Sequence, residues 1–185
     1  CIRDRYVPTS MWNEGGLKDK MVNITKGLKM GQTDDFTTFM SAVINKQAFD
    51  KHMGFLDALN SSNEVEVLVG GKGDDSKGYF VEPTIAVTSN PKFKTMQEEI
   101  FGPVLTVYLY DDSKPGALED VCHLADETSP FGLTGSIFST DRAALQTAAD
   151  ILRHACGNMY WNDKSTGAVV GEQPFGGARA SGTND

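Results

Sequence analysis

The sequence predicts an α/β fold, a layered and mostly parallel sheet flanked by helices. Two observations carry this. Apolar runs of strand length alternate along the chain with segments of helical periodicity. The stretch Val104–Tyr110 reads VLTVYLY, and so continuous an apolar run suits a strand buried on both faces.

Taken in order, a first helix is expected from about Asn13 into the region of Lys26, although Gly15 and Gly16 weaken its start. Residues 45–61 place Phe49, His52, Met53, Leu56 and Leu59 at i, i+3, i+4, i+7 and i+10, which is an amphipathic helix. Val65–Val69 reads as a strand stopped by Gly70-Gly71. Residues 79–87 read as another, and Pro83 inside it argues for an edge or a break. Residues 135–139 and Asn158–Trp161 are shorter strand candidates. Between them, residues 141–154 carry Leu145, Ala148, Ala149 and Leu152 at helical spacing, with Asp141 placed to cap the start and Gly157 to stop the chain. No repeat, low-complexity tract or linker appears, so residues 1–185 read as one organisational unit.

Composition excludes several function classes. The chain has 185 residues and a net charge of -8, which argues against nucleic-acid backbones and anionic membrane surfaces as partners. No run approaches the roughly 18 apolar residues of a membrane helix. Cys1, Cys122 and Cys156 are too few and too scattered for a disulfide framework, which points to a reducing compartment. The chain opens on Cys and closes on Ser-Gly-Thr-Asn-Asp, and reads as a fragment of a longer protein. Cys122-His123 and His154-x-Cys156 offer zinc-type ligands, but not at the spacing of a zinc finger, so no metal is expected. The acidic pairs Asp111-Asp112, Glu119-Asp120 and Asp126-Glu127 lack the central glycine of a calcium loop and read as solvated surface.

Two stretches carry the chemistry. Residues 162–182 are too rich in glycine for a helix or a central strand, and form a loop after the Asn158–Trp161 strand. Neither Lys164-Ser165 nor Gly176-Gly177 has the glycine spacing of a nucleotide-phosphate loop. Glycine density alone fits a structural turn as well as a site. The second stretch is Glu98-Glu99-Ile100-Phe101-Gly102-Pro103-Val104-Leu105. It is either a helix-to-strand turn with solvated carboxylates, or a place where a carboxylate at a strand edge accepts hydrogen bonds from a ribose or similar polyol.

Together and in this order, the two stretches resemble the aldehyde dehydrogenase superfamily. Glu98 to Val104 matches that family's cofactor-contacting motif, and Pro174-Phe175-Gly176-Gly177-x-x-x-Ser181-Gly182 its C-terminal signature. Gly78-Tyr79-Phe80, Glu82-Pro83-Thr84 and Phe131-Gly132-Leu133-Thr134 fit between them. The run from Asn162 to Asp185, with Tyr6-Val7-Pro8 and the stretch from Phe36 to Ile44, is similar to the branch acting on L-glutamate γ-semialdehyde.

The resemblance implies a catalytic domain of the aldehyde dehydrogenase type, of which residues 1–185 are the C-terminal part. It implies oxidation of an aldehyde to an acid with NAD: a cysteine thiolate attacks the carbonyl, hydride leaves, and water hydrolyses the thioester with a glutamate as base. Glu99 matches the carboxylate that binds the nicotinamide ribose, and Phe101 the aromatic beside the nicotinamide. Gly167 and Ala168 match the residues whose backbone N–H groups hold the substrate's α-carboxylate, and Phe175 the aromatic wall along its methylene chain. Ser165 could add a hydroxyl. The resemblance puts the catalytic cysteine further upstream of Tyr6-Val7-Pro8 than Cys1 stands, so Cys1 is not assigned as nucleophile. Nucleophile, general base and cofactor domain are then all expected upstream, and the chain alone is expected to be inactive. A paralogue that kept the fold and lost the chemistry, or an enzyme for another carboxylated aldehyde, is the alternative. The implied partners are a small aldehyde and further copies of the same protein, as a dimer or larger. The implied place is the mitochondrial matrix in a eukaryote and the cytoplasm in a bacterium.

Overall fold

Residues 4–165, 167–169 and 171–182 are described by a computed structural model. The chain divides into two units, residues 1–111 and 112–185. The first runs β1 (Asp4–Pro8), α1 (Thr9–Asn13), α2 (Leu17–Lys26), α3 (Lys46–Ser61), β2 (Val65–Val69), β3 (Gly73–Asp74), β4 (Phe80–Val81), β5 (Thr84–Thr88), α4 (Lys94–Gln97) and β6 (Val104–Tyr110).

Its main sheet has the order β1-β6-β5-β2. β6 is parallel to both β1 and β5, and β2 closes the edge antiparallel. The VLTVYLY run is therefore an inner strand, with Val104, Thr106 and Val107 buried. One face packs on α3, where Phe55, Leu56 and Leu59 meet Ala86, Ile100 and Val104. The other gathers Val7, Ile85 and Val107 around Trp12 of α1, with Leu17 and Met21 of α2 against them. Ile85 and Ala86 go to opposite clusters, as the two-residue period of a strand requires.

α3 lies where the apolar spacing puts it. Asn45 caps it, its side chain accepting the Ala48 N–H at 2.9 Å. Elsewhere in this unit the structure corrects the sequence reading. The single helix expected from Asn13 to Lys26 is two helices, α1 and α2, and the chain breaks over residues 14–16, with Gly16 at φ 68°. The break that Pro83 suggests within residues 79–87 is present: the run divides at Glu82-Pro83 into β4 and β5, because Pro83 has no N–H to give a ladder. β1 has too few apolar residues to announce itself; it exists because it pairs along the length of β6.

The second unit contains α5 (Ala117–Glu127), β7 (Phe131–Gly132), β8 (Thr134–Ile137), α6 (Arg142–Ile151), β9 (Asn158–Trp161) and β10 (Ala178–Arg179). β8 and β9 are parallel, joined through α6, and β7 pairs antiparallel with β10. Asp141 caps α6 as expected, accepting the Ala143 N–H at 2.8 Å. The helix stops at Ile151, earlier than the apolar spacing suggests, where Leu152 leaves helical backbone and accepts the Ala155 N–H in a tight turn. α5 was not predicted as a helix. Its acidic residues Glu119 and Asp120 sit in the first turn, where the helix dipole favours negative charge, and Val121 and Cys122 turn inward.

Candidate functional site

The turn from α4 into β6 carries Glu99 and Phe101. Glu98 and Glu99 are exposed, whereas Ile100 between Glu99 and Phe101 is buried in the cluster under α3. Phe101 then takes a left-handed backbone, φ 61°, and is 78% exposed as a residue. A non-glycine residue in that conformation costs about 1 kcal/mol or more. The turn is held from below by α3. Lys51 Nζ donates to the Glu99 carbonyl at 2.7 Å, and His52 Nε2 lies 3.3 Å from the Phe101 carbonyl. Gly102 packs so closely on the His52 ring that a Cβ there would fall 2.1 Å from ring atoms. Pro103 accepts the Thr84 N–H at 2.8 Å, which locks the turn to β5. The arrangement can offer one carboxylate and one aromatic face to a ligand.

The glycine-rich loop in the second unit begins as β9 ends. Asn162 takes a left-handed backbone, φ 50°, and its side chain both donates to the Ser139 carbonyl and accepts the Ser139 N–H, each at 2.8 Å. Gly167 lies at φ 99° with nothing within 4 Å of where a Cβ would stand, and Ala168 after it is half-buried. Successive N–H groups at such a glycine can converge on an anion. Phe175 is 55% exposed. Its backbone is bracketed by one side chain, since Asn158 donates to the Pro174 carbonyl at 2.9 Å and accepts the Gly176 N–H at 3.4 Å. Lys164 Nζ stands 5.8 Å above the Tyr160 ring, and Ser165 is exposed. Beyond Phe175, the Ser181 hydroxyl accepts the Gly132 N–H at 3.0 Å, and Arg179 pairs with Asp126 of α5.

The structure thus brings Glu99 together with Phe101 in one unit, and Gly167, Ala168 and Phe175 onto one loop of the other. Cys1 lies outside the described residues. Burial raises the Cys122 thiol above its ordinary value, and raises Cys156 likewise. The Cys156 Sγ also donates to the Asn158 carbonyl at 3.2 Å. Neither is a poised nucleophile. Among the described residues, no cluster of three or more His, Cys, Asp or Glu side chains comes together. Sequence reasoning missed Lys51, Asn158 and Arg179, and took His52 only as part of an apolar stripe. They act through carbonyls and N–H groups that lie far along the chain, and a sequence carries no local signal of that.

The aldehyde dehydrogenase family matches this chain over residues 1–185. The mitochondrial delta-1-pyrroline-5-carboxylate dehydrogenase of Dictyostelium discoideum is 54% identical over 185 residues, covering 100% of this chain and 32% of its own length. The protein of the same name from Homo sapiens is 49% identical over 181 residues, covering 97% of this chain and 31% of its own length. Among solved structures, the delta-pyrroline-5-carboxylate dehydrogenase from Mycobacterium tuberculosis bound with NAD superposes with a TM-score of 0.86 at 39% identity, over 98% of this chain and 32% of that one. The chain spans about a third of the length of the relatives it matches.

Proposed function

The chain belongs to the aldehyde dehydrogenase family, and we propose that it is the C-terminal part of the catalytic domain of an NAD-dependent enzyme. That enzyme oxidises L-glutamate γ-semialdehyde to L-glutamate, a step of proline catabolism. The observation that carries the substrate reading is the left-handed backbone of Gly167 beside half-buried Ala168. The two residues sit in a loop tied at one end by Asn162 and at the other by Asn158. Their N–H groups bind the α-carboxylate, and the Phe175 ring packs along the methylene chain, so that the aldehyde is held at a fixed distance from the anchored end. An aliphatic aldehyde without a carboxylate leaves these donors unmatched and is a poor substrate.

NAD, when bound, accepts the hydride from the aldehyde carbon. An exposed carboxylate and an exposed ring on one pinned turn fit the ribose and nicotinamide end of such a dinucleotide. Glu99 accepts hydrogen bonds from the ribose hydroxyls, and Phe101 packs beside the ring and limits its tilt. Both residues orient; neither makes or breaks a bond. The nucleophilic thiolate and the general base come from outside these residues. The enzyme works as a homo-oligomer, in the mitochondrial matrix of a eukaryote or the cytoplasm of a bacterium. Names of similar eukaryotic proteins support the first location.

The test is NAD reduction, followed by absorbance, with the natural protein that contains this sequence. Glutamate semialdehyde is expected to drive it, and the 185-residue chain alone is expected to give none. Failure of the natural protein to reduce NAD with this aldehyde overturns the proposal.

A further inference from the structure

We propose that His52 is a positioning residue for the cofactor: from inside α3 it sets the backbone of the turn that presents Glu99 and Phe101. The inference rests on the reading of those two residues given above.

Three successive residues of the turn are fixed to α3. Lys51 holds the Glu99 carbonyl, the Ile100 side chain is buried in the cluster under the helix, and His52 holds the Phe101 carbonyl. The side chains of Glu99 and Phe101 are left exposed. His52 is 2% exposed, at a helix position whose spacing calls for a hydrophobic residue. A leucine or phenylalanine would fill that space. It would not supply the N–H that a carbonyl requires. Because the Phe101 oxygen only accepts, the proton of the contact sits on Nε2. Nδ1 is then a buried ring nitrogen without a hydrogen-bond partner among the described residues. Leaving a buried polar atom unmatched opposes folding. A core position that carries this cost is better explained by what Nε2 does than by packing.

Two further facts point the same way. Phe101 is held at φ 61°, a conformation that persists in a non-glycine residue only when its surroundings impose it. The His52 contact to its carbonyl is part of that imposition. Gly102 gives the ring its seat, since any side chain there would collide with Cδ2 and Nε2. The histidine, the glycine and the left-handed phenylalanine therefore form one device. Without the Nε2 contact the turn relaxes, and the Glu99 carboxylate and Phe101 ring lose their fixed relation.

The test uses the natural full-length protein with His52→Phe, His52→Gln and Gly102→Ala, with Glu99→Gln as reference. NAD affinity is read by titration calorimetry, alongside kcat, the KM for aldehyde and the melting temperature. His52→Phe keeps the volume and loses the donor, and is expected to weaken NAD by about tenfold, the worth of one lost hydrogen bond to a positioned group, while aldehyde KM holds. His52→Gln restores a donor and is expected to recover most of that loss, which a packing role would not predict. Gly102→Ala is expected to reproduce the loss by pushing the ring away, and it carries the test alone if His52→Phe does not fold. If NAD affinity is unchanged in His52→Phe and Gly102→Ala while Glu99→Gln weakens it, the positioning role is wrong and the reading of Glu99 stands. If Glu99→Gln also leaves NAD affinity unchanged, both fall.

Discussion

Phe101 carries two features that stability alone selects against, a left-handed backbone and an aromatic residue 78% exposed. Their coincidence on one residue supports the proposed cofactor-positioning role of Phe101. It gives a prediction of opposite signs. Phe101→Gly removes the backbone cost and should raise stability by about 1 kcal/mol, while weakening NAD binding. Thermal melting and dinucleotide titration of the same protein check it; a variant that is less stable would show that the conformation is not strained. The cysteines give a second. Burial raises the Cys122 thiol, and that of Cys156, so at neutral pH the thiolate fraction of each is below that of a free cysteine. Both should react slowly with iodoacetamide until the chain is unfolded or the pH is raised well into the alkaline range. Rapid labelling of either in the folded chain at neutral pH would contradict this. At this scale Glu99, Phe101, Gly167 and Phe175 could be proposed from sequence because they lie within unbroken strings of unusual composition. His52 and Asn158 could not, because what marks them is the distant carbonyl each one reaches.

At the scale of elements, periodicity was most informative where packing was strongest. α3 and β6 stand where their patterns put them, one facing the core along a stripe and the other paired on both edges. The misplaced elements are those whose limits depend on single residues, the break at Gly16 and the early end of α6 at Ile151, whereas the split at Pro83 was legible because proline has no N–H to give a ladder. β1 and α5 were invisible as patterns, the first because β6 stabilises it from outside, the second because acidic residues cover its exposed face. Leu56 is fully buried at the centre of α3, and Leu56→Ala should cost about 2–5 kcal/mol in chemical denaturation. A loss near zero would mean that α3 does not hold this unit together. The loop after β9 has its own test. Asn158→Ala frees the backbone on both sides of Phe175 and should raise aldehyde KM by about five- to thirtyfold, the worth of roughly 1–2 kcal/mol of lost hydrogen bonding, with NAD affinity unchanged. An equal loss of NAD affinity would show that the brace is general rather than local to Phe175.

At the scale of the whole molecule, the proposed binding roles divide between the two units. The residues proposed for the dinucleotide lie in 1–111 and those for the aldehyde in 112–185. Their variants should therefore separate cleanly, one set moving NAD affinity and the other aldehyde KM. The fold class and the family could be read from sequence because both rest on long, ordered strings. The two-unit partition had no signal, since no linker composition marks residues 111–112. Large apolar side chains also stand in solvent, Phe36 fully and Ile44 at 90%. Exposed apolar surface of this kind favours association. Sedimentation of the isolated 185-residue chain should show self-association, and a monodisperse monomer at all concentrations would contradict that.

In the proposed function, the loop after β9 supplies an anion-binding backbone for the far end of a carboxylated aldehyde. The most direct measurement is the ratio of kcat/KM for glutamate semialdehyde over an aliphatic aldehyde of equal length without the carboxylate. It is made on the natural protein and on Gly167→Pro, which removes one N–H and cannot hold φ near 99°. A large ratio is expected in the natural protein, and a fall of about ten- to a hundredfold in the variant through the charged substrate alone. A ratio that survives the substitution would place the carboxylate elsewhere and overturn the role of Gly167.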